Sequence, residues 1–326
     1  MQRIAIIGAG LSGAVLTDRL VKAGREVTLF EKSRGTGGRL ASARLGDFSA
    51  DLGASCIDAY SESFTAWLAH QKQLGRVHSW APRTISFKGK QLESPPVWVG
   101  VGRNSSLTRE LIQGATLRTE TRIGVVWPDK EGVLLRDEHS NSLGHFDAVI
   151  CTAPAPQAVS LLEAVPRFAN HAEEAVTDPS WVYVAVLEQL PSKLSGVDLV
   201  MDGLLGIERV FVESNKPNRG GVVIKVEMSR DWSEDNINLH ADTVKAEAIQ
   251  RLEAWLDERL IVKVDRIHRW LYSSSLQPSP NELSLWDKEC AIGACGDWIG
   301  PAGLEGSFLS ASDLADRLLD SGQSAA

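Results

Sequence analysis

The sequence predicts an α/β protein, with a Rossmann-like dinucleotide-binding domain joined to a smaller domain built on an antiparallel sheet. Three observations carry that expectation. Ile4-Ala5-Ile6-Ile7 runs straight into Gly8-Ala9-Gly10-Leu11-Ser12-Gly13, a Gly-x-Gly-x-x-Gly between an apolar run and a helical stretch. Eighteen residues after Gly13, Glu31 closes a second apolar run, Val27-Thr28-Leu29-Phe30. Near the other end, Cys290-Ala-Ile-Gly-Ala-Cys295 reads as a strand ending in Gly296-Asp297, and Gly303-Leu304-Glu305-Gly306 opens a helix.

Each element has a physical reason. Gly8 permits the tight turn out of the first strand, Gly10 lets a pyrophosphate approach the backbone, and Gly13 lets the helix pack closely on the sheet. The helix expected over about 11–23 aims its free N–H groups, beginning at Leu11 and Ser12, and its positive end at phosphates. Glu31 is placed to accept hydrogen bonds from ribose hydroxyls, and its charge disfavours a 2′-phosphate there. A lone glycine motif is a weak signal; a strand before it, a helix after it and the acid at this distance supply the context.

A second glycine cluster, Lys32-Ser-Arg-Gly-Thr-Gly-Gly-Arg39, follows the acid. It resembles the corresponding segment of FAD-dependent amine oxidases, and Asp51-Leu-Gly-Ala54 resembles their Asp-x-Gly-Ala element near the flavin. The resemblance implies FAD, bound without a covalent link, in a domain of the glutathione reductase/amine oxidase type. By it, Lys32 and Arg39 lie on the cofactor, with Arg39 giving charge-assisted hydrogen bonds to phosphate or ribose. Ile123 lies where the backbone reads the adenine, and Asp297 binds a ribityl hydroxyl or phosphate. Leu304 and Gly306 belong to a helix end beside the flavin pyrimidine edge, where the dipole stabilises negative charge. Some relatives attach FAD through a cysteine near the Gly-Asp motif. Cys295 directly precedes Gly296 and is expected to be buried in the strand instead.

Over nearly the whole chain the pattern resembles bacterial renalases. The segments that carry this are Thr152-Ala-Pro-Ala-Pro-Gln157, Asp178-Pro-Ser-Trp181, Asn215-Lys-Pro-Asn-Arg219, His268-Arg-Trp-Leu-Tyr272 and Cys295-Gly-Asp-Trp298. Membership would imply oxidation of dihydro isomers of NAD(P)H, with hydride passing to the flavin and O2 as final acceptor giving hydrogen peroxide. Hydride removal from a dihydropyridine needs orientation and no general base, and no acid–base constellation stands out. Three segments depart from that family: Ser55-Cys-Ile57 where Gln-Tyr-Phe is usual, Ser273-Ser-Ser275 where Ala-Arg-Pro is usual, and Ile299-Gly-Pro-Ala-Gly303. Two other activities stay open: a flavin oxidase or dehydrogenase for an amine or a hydrophobic polyene, and an FAD-binding protein without catalysis.

The cofactor motifs are scattered, so the dinucleotide-binding domain is expected over 1–74, 105–160 and 286–326, with 75–104 and 161–285 forming the substrate domain. Within the latter, 181–187, 221–228 and 262–272 read as strands. Val244, Ala248, Leu252, Trp255 and Leu256 have helical spacing over 242–260. Trp298, Tyr272 and Trp232 are the candidates for lining the substrate pocket; no catalytic side chain is assigned.

Composition sets bounds. The 326 residues suffice for one large domain or two modest ones. A formal charge of −8, with no basic stripe, speaks against nucleic acid as partner. No apolar run reaches membrane-spanning length. The nucleotide fold begins at residue 4, so no leader and a cytoplasmic location are expected. Cys56, Cys151, Cys290 and Cys295 form no Cys-x-x-Cys pair and are expected as free thiols. The seven histidines lack ligand spacing, so no metal is expected. The last six residues, Ser321 to Ala326, are expected to fray.

Overall fold

Apolar, β-branched runs at both ends of the chain converge on one sheet. The computed structural model describes residues 1–203, 206–276 and 282–320; the tail expected to fray lies outside them. In spatial order the six strands are Leu285–Asp287, Ile292–Ala294, Ala148–Cys151, Arg3–Ile7, Glu26–Phe30 and Thr116–Arg118. All neighbours are parallel except the first pair. Strands buried on both faces need continuous apolar sequence, and Ala148–Cys151 and Ile292–Ala294 are buried at every position. One face carries the helices Leu11–Lys22 and Gly303–Asp320, with Leu16, Leu20, Leu314 and Leu318 in a shared core. The other carries a three-stranded antiparallel sheet, Ile123–Asp129, Gly132–Asp137 and Ser142–Phe146, and two short helices.

The second body is a seven-stranded sheet. Its order is Val262–Leu276, Val176–Leu187, Val223–Met228, Ile207–Val212, Leu199–Met201, Thr84–Ser86 and Gln91–Leu92. Only the pairing of Leu199–Met201 with Thr84–Ser86 is parallel. The helix Ala241–Leu256 covers one face through Val244, Ala248, Leu252 and Leu256, and ends at Asp257, which takes a left-handed φ of 56°. The long strand continues to Leu276, four residues past the stretch legible from alternation.

The bodies meet through a hairpin, Ser42–Leu45 with Phe48–Asp51, whose Ala43, Leu45 and Ala50 pack against Val182, Val184 and Val223 of the seven-stranded sheet. Two segments sit differently from the division read in the sequence. The helix Pro166–Glu174 buries Phe168 and Ala172 in the core shared with Phe30 and Val149, so the chain enters the second sheet at Val176. Only 84–92 of the 75–104 segment joins that sheet; Val77–Trp80 and Val97–Gly100 pair with each other.

Candidate functional site

The turn after the first strand is locked by its own backbone. Gly8 has φ of 108°, and a Cβ there would lie 2.7 Å from Thr152 Oγ1. A Cβ on Gly13 would lie 2.1 Å from the Gly8 carbonyl oxygen, so the helix packs on the turn only as glycine. A Cβ on Gly10 would meet nothing closer than Gly38 Cα at 3.8 Å. Gly37 N–H donates to the Ala9 carbonyl at 2.9 Å, tying the second glycine loop to the first. No side chain caps the helix that starts at Leu11, and no acid sits in its first turn. Glu31 accepts from Ala9 N–H at 2.9 Å and from Ser33 N–H at 2.8 Å, which fixes its carboxylate at the strand tip.

These pieces open into a cleft of about 920 Å³, within the usual range of ligand pockets of about 300–1,000 Å³. Gly8, Gly10, Leu11, Ser12, Glu31, Lys32, Arg39, Ile123 and Leu304 all line it. A dinucleotide fits this cradle: two facing glycine loops, an uncapped helix start and a held carboxylate supply what phosphates and a ribose need. Thr152 also lines it, its Oγ1 donating to the Ile7 and Gly8 carbonyls at 3.0 and 3.1 Å. Lys32 Nζ donates to Gln157 Oε1 at 2.6 Å, and burial, helped by the Arg122 charge, lowers its pKa.

A smaller cavity of about 210 Å³ adjoins the cleft. On the side of the six-stranded sheet it is lined by Arg39, Asp297, Gly303, Leu304 and Ser307. On the side of the seven-stranded sheet Ser180, Arg209, Glu227, Trp270, Ser273 and Ser274 face it. Arg39 and Asp297 pair directly here. Trp270 Nε1 donates to the Leu52 carbonyl at 2.9 Å, and its ring meets His268 edge-on at 4.4 Å. Burial, aided by Arg266, pushes His268 down to about 4.

Of the three pocket candidates, Tyr272 lines the large cleft. Trp298 does not line either cavity. Its indole is 2 % exposed, donates to the Ala153 carbonyl at 3.0 Å and packs near His171, because the turn after Asp297 points it into the core. Trp232 lies half-buried on the short helix Arg230–Asp235, beneath the Arg251 guanidinium and against Gly206, packed against the second body's core. Gly306 is a packing glycine, since a Cβ would lie 1.4 Å from the Pro301 carbonyl oxygen; its neighbours Leu304 and Ser307 face the cavities. Cys295 is fully buried and burial raises its thiol pKa, as it does for Cys151, pushed up to about 12. Among the described residues no cluster could hold a metal, and no helix is long and apolar enough to cross a membrane.

Arg266 was not singled out from sequence; it precedes the quoted segment His268 to Tyr272 on the same strand, Val262–Leu276. Arg209 and Glu227 come from two other strands and had no signal, whereas Ser180 lies in the quoted segment Asp178 to Trp181.

Comparisons with known proteins agree with this architecture. The family model for flavin containing amine oxidoreductase matches residues 83–319, and that for an NAD(P)-binding Rossmann-like domain matches 6–71. The chain is 39% identical over 67 residues to a 4,4'-diapophytoene desaturase (4,4'-diaponeurosporene-forming) of Staphylococcus aureus strain Newman. That match spans 20% of this chain and only 13% of the desaturase. A putative protoporphyrinogen oxidase from Exiguobacterium sp. 255-15 superposes with a TM-score of 0.76 at 13% identity, covering 97% of this chain and 98% of that one. A reduced UDP-galactopyranose mutase superposes with a TM-score of 0.74 at 13% identity, covering 98% and 94%. At these identities the structures share the fold alone.

Proposed function

The chain belongs to the flavin containing amine oxidoreductase family, as an FAD-dependent oxidoreductase, and from that premise we propose that it oxidises dihydro isomers of NAD(P)H to NAD(P)+ as renalases do. The observation that carries this reading is a cleft wall of ring side chains with no charged base, Trp270 and Tyr272 beside His268. In a protein of formal charge −8, the large cleft presents Lys32, Arg34, Arg39, Arg122 and Arg266, against Glu31 as its one lining acid, while the Arg269 guanidinium packs over Trp181 and donates to the Ile237 carbonyl. Arg34 and Arg122 have exposed partners in Glu120 and Glu138. Lys32 and Arg266 have no carboxylate in salt-bridge range among the described residues. Arg39 is paired with Asp297, so with Glu31 counted the cleft keeps no more positive charge than one dinucleotide pyrophosphate offsets.

In this reading Gly8, Gly10, Leu11, Ser12, Gly13, Glu31, Lys32, Arg39, Ile123, Asp297, Leu304 and Gly306 form the FAD site, Gly13 and Gly306 by allowing close backbone packing. Bound FAD supplies the two-electron acceptor, which O2 reoxidises with release of hydrogen peroxide. Trp270 and Tyr272 offer ring faces and edges to orient a nicotinamide. His268, at about 4, is an uncharged ring at neutral pH and too weak a base to take a proton, as suits hydride removal that leaves an aromatic cation. The inner wall of serines, Arg209 and Glu227 suits a small polar ring better than a long polyene.

The test is anaerobic stopped-flow absorbance of the FAD-loaded protein. Borohydride-generated NADH isomers should bleach the flavin rapidly and release NAD+, and air should restore the colour with peroxide formed. Ordinary NADH and a panel of amines should not. Bleaching by an amine instead, or by none of these, overturns the reading.

A further inference from the structure

A charge imbalance lies in the inner cavity, among residues the hydride transfer does not require. Lys225 is fully buried, and its three donors are spent on the Gly53 carbonyl, on Ser55 Oγ at 2.7 Å and on Glu227 at 2.8 Å. Glu227 also accepts from Arg209 Nε at 2.6 Å and from Ser55 Oγ at 3.1 Å. Against the upward push of its burial, the Arg209 and Lys225 charges hold Glu227 at about 2, so it is ionised throughout the working range. Two cations therefore share one carboxylate. The neighbouring buried group of Asp51, Glu213, Lys216 and Arg219 is balanced two against two. Glu208, exposed and adjacent in sequence to Arg209, makes no ion pair among the described residues.

The surplus charge is presented by Arg209. Its Nε is spent on Glu227 and its guanidinium lies 5.6 Å from the Phe211 ring centroid, but its two Nη groups donate no hydrogen bond among the described residues. Its side chain is 44% exposed and lines the inner cavity. Ser180, Ser273 and Ser274, all small, line the same cavity and leave that guanidinium uncovered. A fork of free N–H donors on the wall of this cavity matches a planar carbonyl group in geometry. We infer that Arg209 anchors the carboxamide or carboxylate substituent of the reacting ring, forming an anion-preferring subsite on the wall of the inner cavity. This rests on the dihydronicotinamide reading for the identity of the ring, and on the charge count alone for its preference of carboxylate over carboxamide.

The experiment titrates the FAD-loaded protein with benzoate, nicotinate and nicotinamide and follows the flavin visible band. Benzoate and nicotinate should bind at least tenfold more tightly than nicotinamide. Arg209→Met should weaken benzoate at least tenfold, and Arg209→Lys should restore part of that loss. Arg209→Met leaves Glu227 paired with Lys225 and should fold, which flavin content and circular dichroism check. Glu227→Gln, which raises the surplus charge, should tighten benzoate in a second variant. Benzoate affinity unchanged in Arg209→Met, nicotinamide binding as well as nicotinate, or no perturbation by any of the three, overturns the subsite. The two readings fail separately. If NADH isomers do not reduce the flavin but benzoate still depends on Arg209, the subsite stands without the reaction. If they do reduce it and benzoate is indifferent to Arg209, the reaction stands without the subsite.

Discussion

Arg39 and Asp297, 258 positions apart in the chain, meet in a two-pronged ion pair, Nη1 to Oδ2 at 2.7 Å and Nη2 to Oδ1 at 2.5 Å. The pair joins the second glycine loop to the end of the last parallel strand. Arg39 borders both cavities, so the pair stands where the cofactor cleft passes into the inner cavity. Asp297 is 1% exposed, so removing its charge leaves a partly buried guanidinium without its partner.

Asp297→Asn should therefore weaken FAD retention. Hydrogen bonds to a charged group are worth about 1.5–3 kcal/mol, so the dissociation constant should rise roughly ten- to a hundredfold. Titration of the apoprotein with FAD, followed by flavin fluorescence, reads this directly, and an unchanged constant would remove Asp297 from the cofactor site.

Gly13→Ala should fail where Gly35→Ala succeeds. The first puts a Cβ 2.1 Å from a backbone oxygen, while the second meets nothing within 4 Å and needs no left-handed backbone. Forced overpacking costs about 1–3 kcal/mol and displaces backbone. Soluble yield and the flavin-to-protein ratio should fall for Gly13→Ala only.

Lys216→Met should destabilise the whole molecule. Lys216 is buried between Asp51 at 3.1 Å and Glu213, and it ties the hairpin of the first body to the sheet of the second. Removing one member of a buried ion group costs about 3–5 kcal/mol, because the remaining charges are left uncompensated. Urea unfolding monitored by tryptophan fluorescence should show the lost midpoint.

Stability should decline in acid in two windows. His268 stays neutral in the fold down to about 4, whereas an ordinary histidine takes its proton near 6.5. The unfolded chain therefore gains the proton first, and this contribution, full above 6.5, is lost as pH falls through 4. Glu227, at about 2 against an ordinary 4.5, contributes above 4.5 and is lost as pH falls through 2. Urea midpoints at pH 7.5 and 5 should converge in His268→Gln relative to the parent; an equal drop in both proteins assigns the upper window to another group.

Arg266→Gln should raise KM for a dinucleotide substrate with little change in kcat, and should flatten the salt dependence of kcat/KM. Its charge lies on the cleft wall outside the cofactor set and without a carboxylate partner among the described residues, and uniform binding is what such a wall supplies. A drop in kcat at constant KM would count against this role.

The elements with strong local signals were legible. Gly8, Gly10 and Gly13 each have a backbone reason that needs no distant residue to be seen, and Glu31 follows from its distance to them. The substrate side was not legible in the same way. Tyr272 lies on the strand that walls the cleft. Trp298 was singled out because it follows Gly296-Asp297, yet its ring turns into the core, and Trp232 packs half-buried against the second body's core.

The sequence by itself determined the α/β fold, the cofactor cradle and the order of its parts, because glycine geometry, strand burial and helix starts are set within a few residues. Only the tertiary structure decided which charges face which. Arg39 with Asp297, Lys225 with Glu227 and Arg209, and Asp51 with Lys216 are pairings across strands and bodies, and electrostatic energy depends on distances that no spacing along the chain encodes.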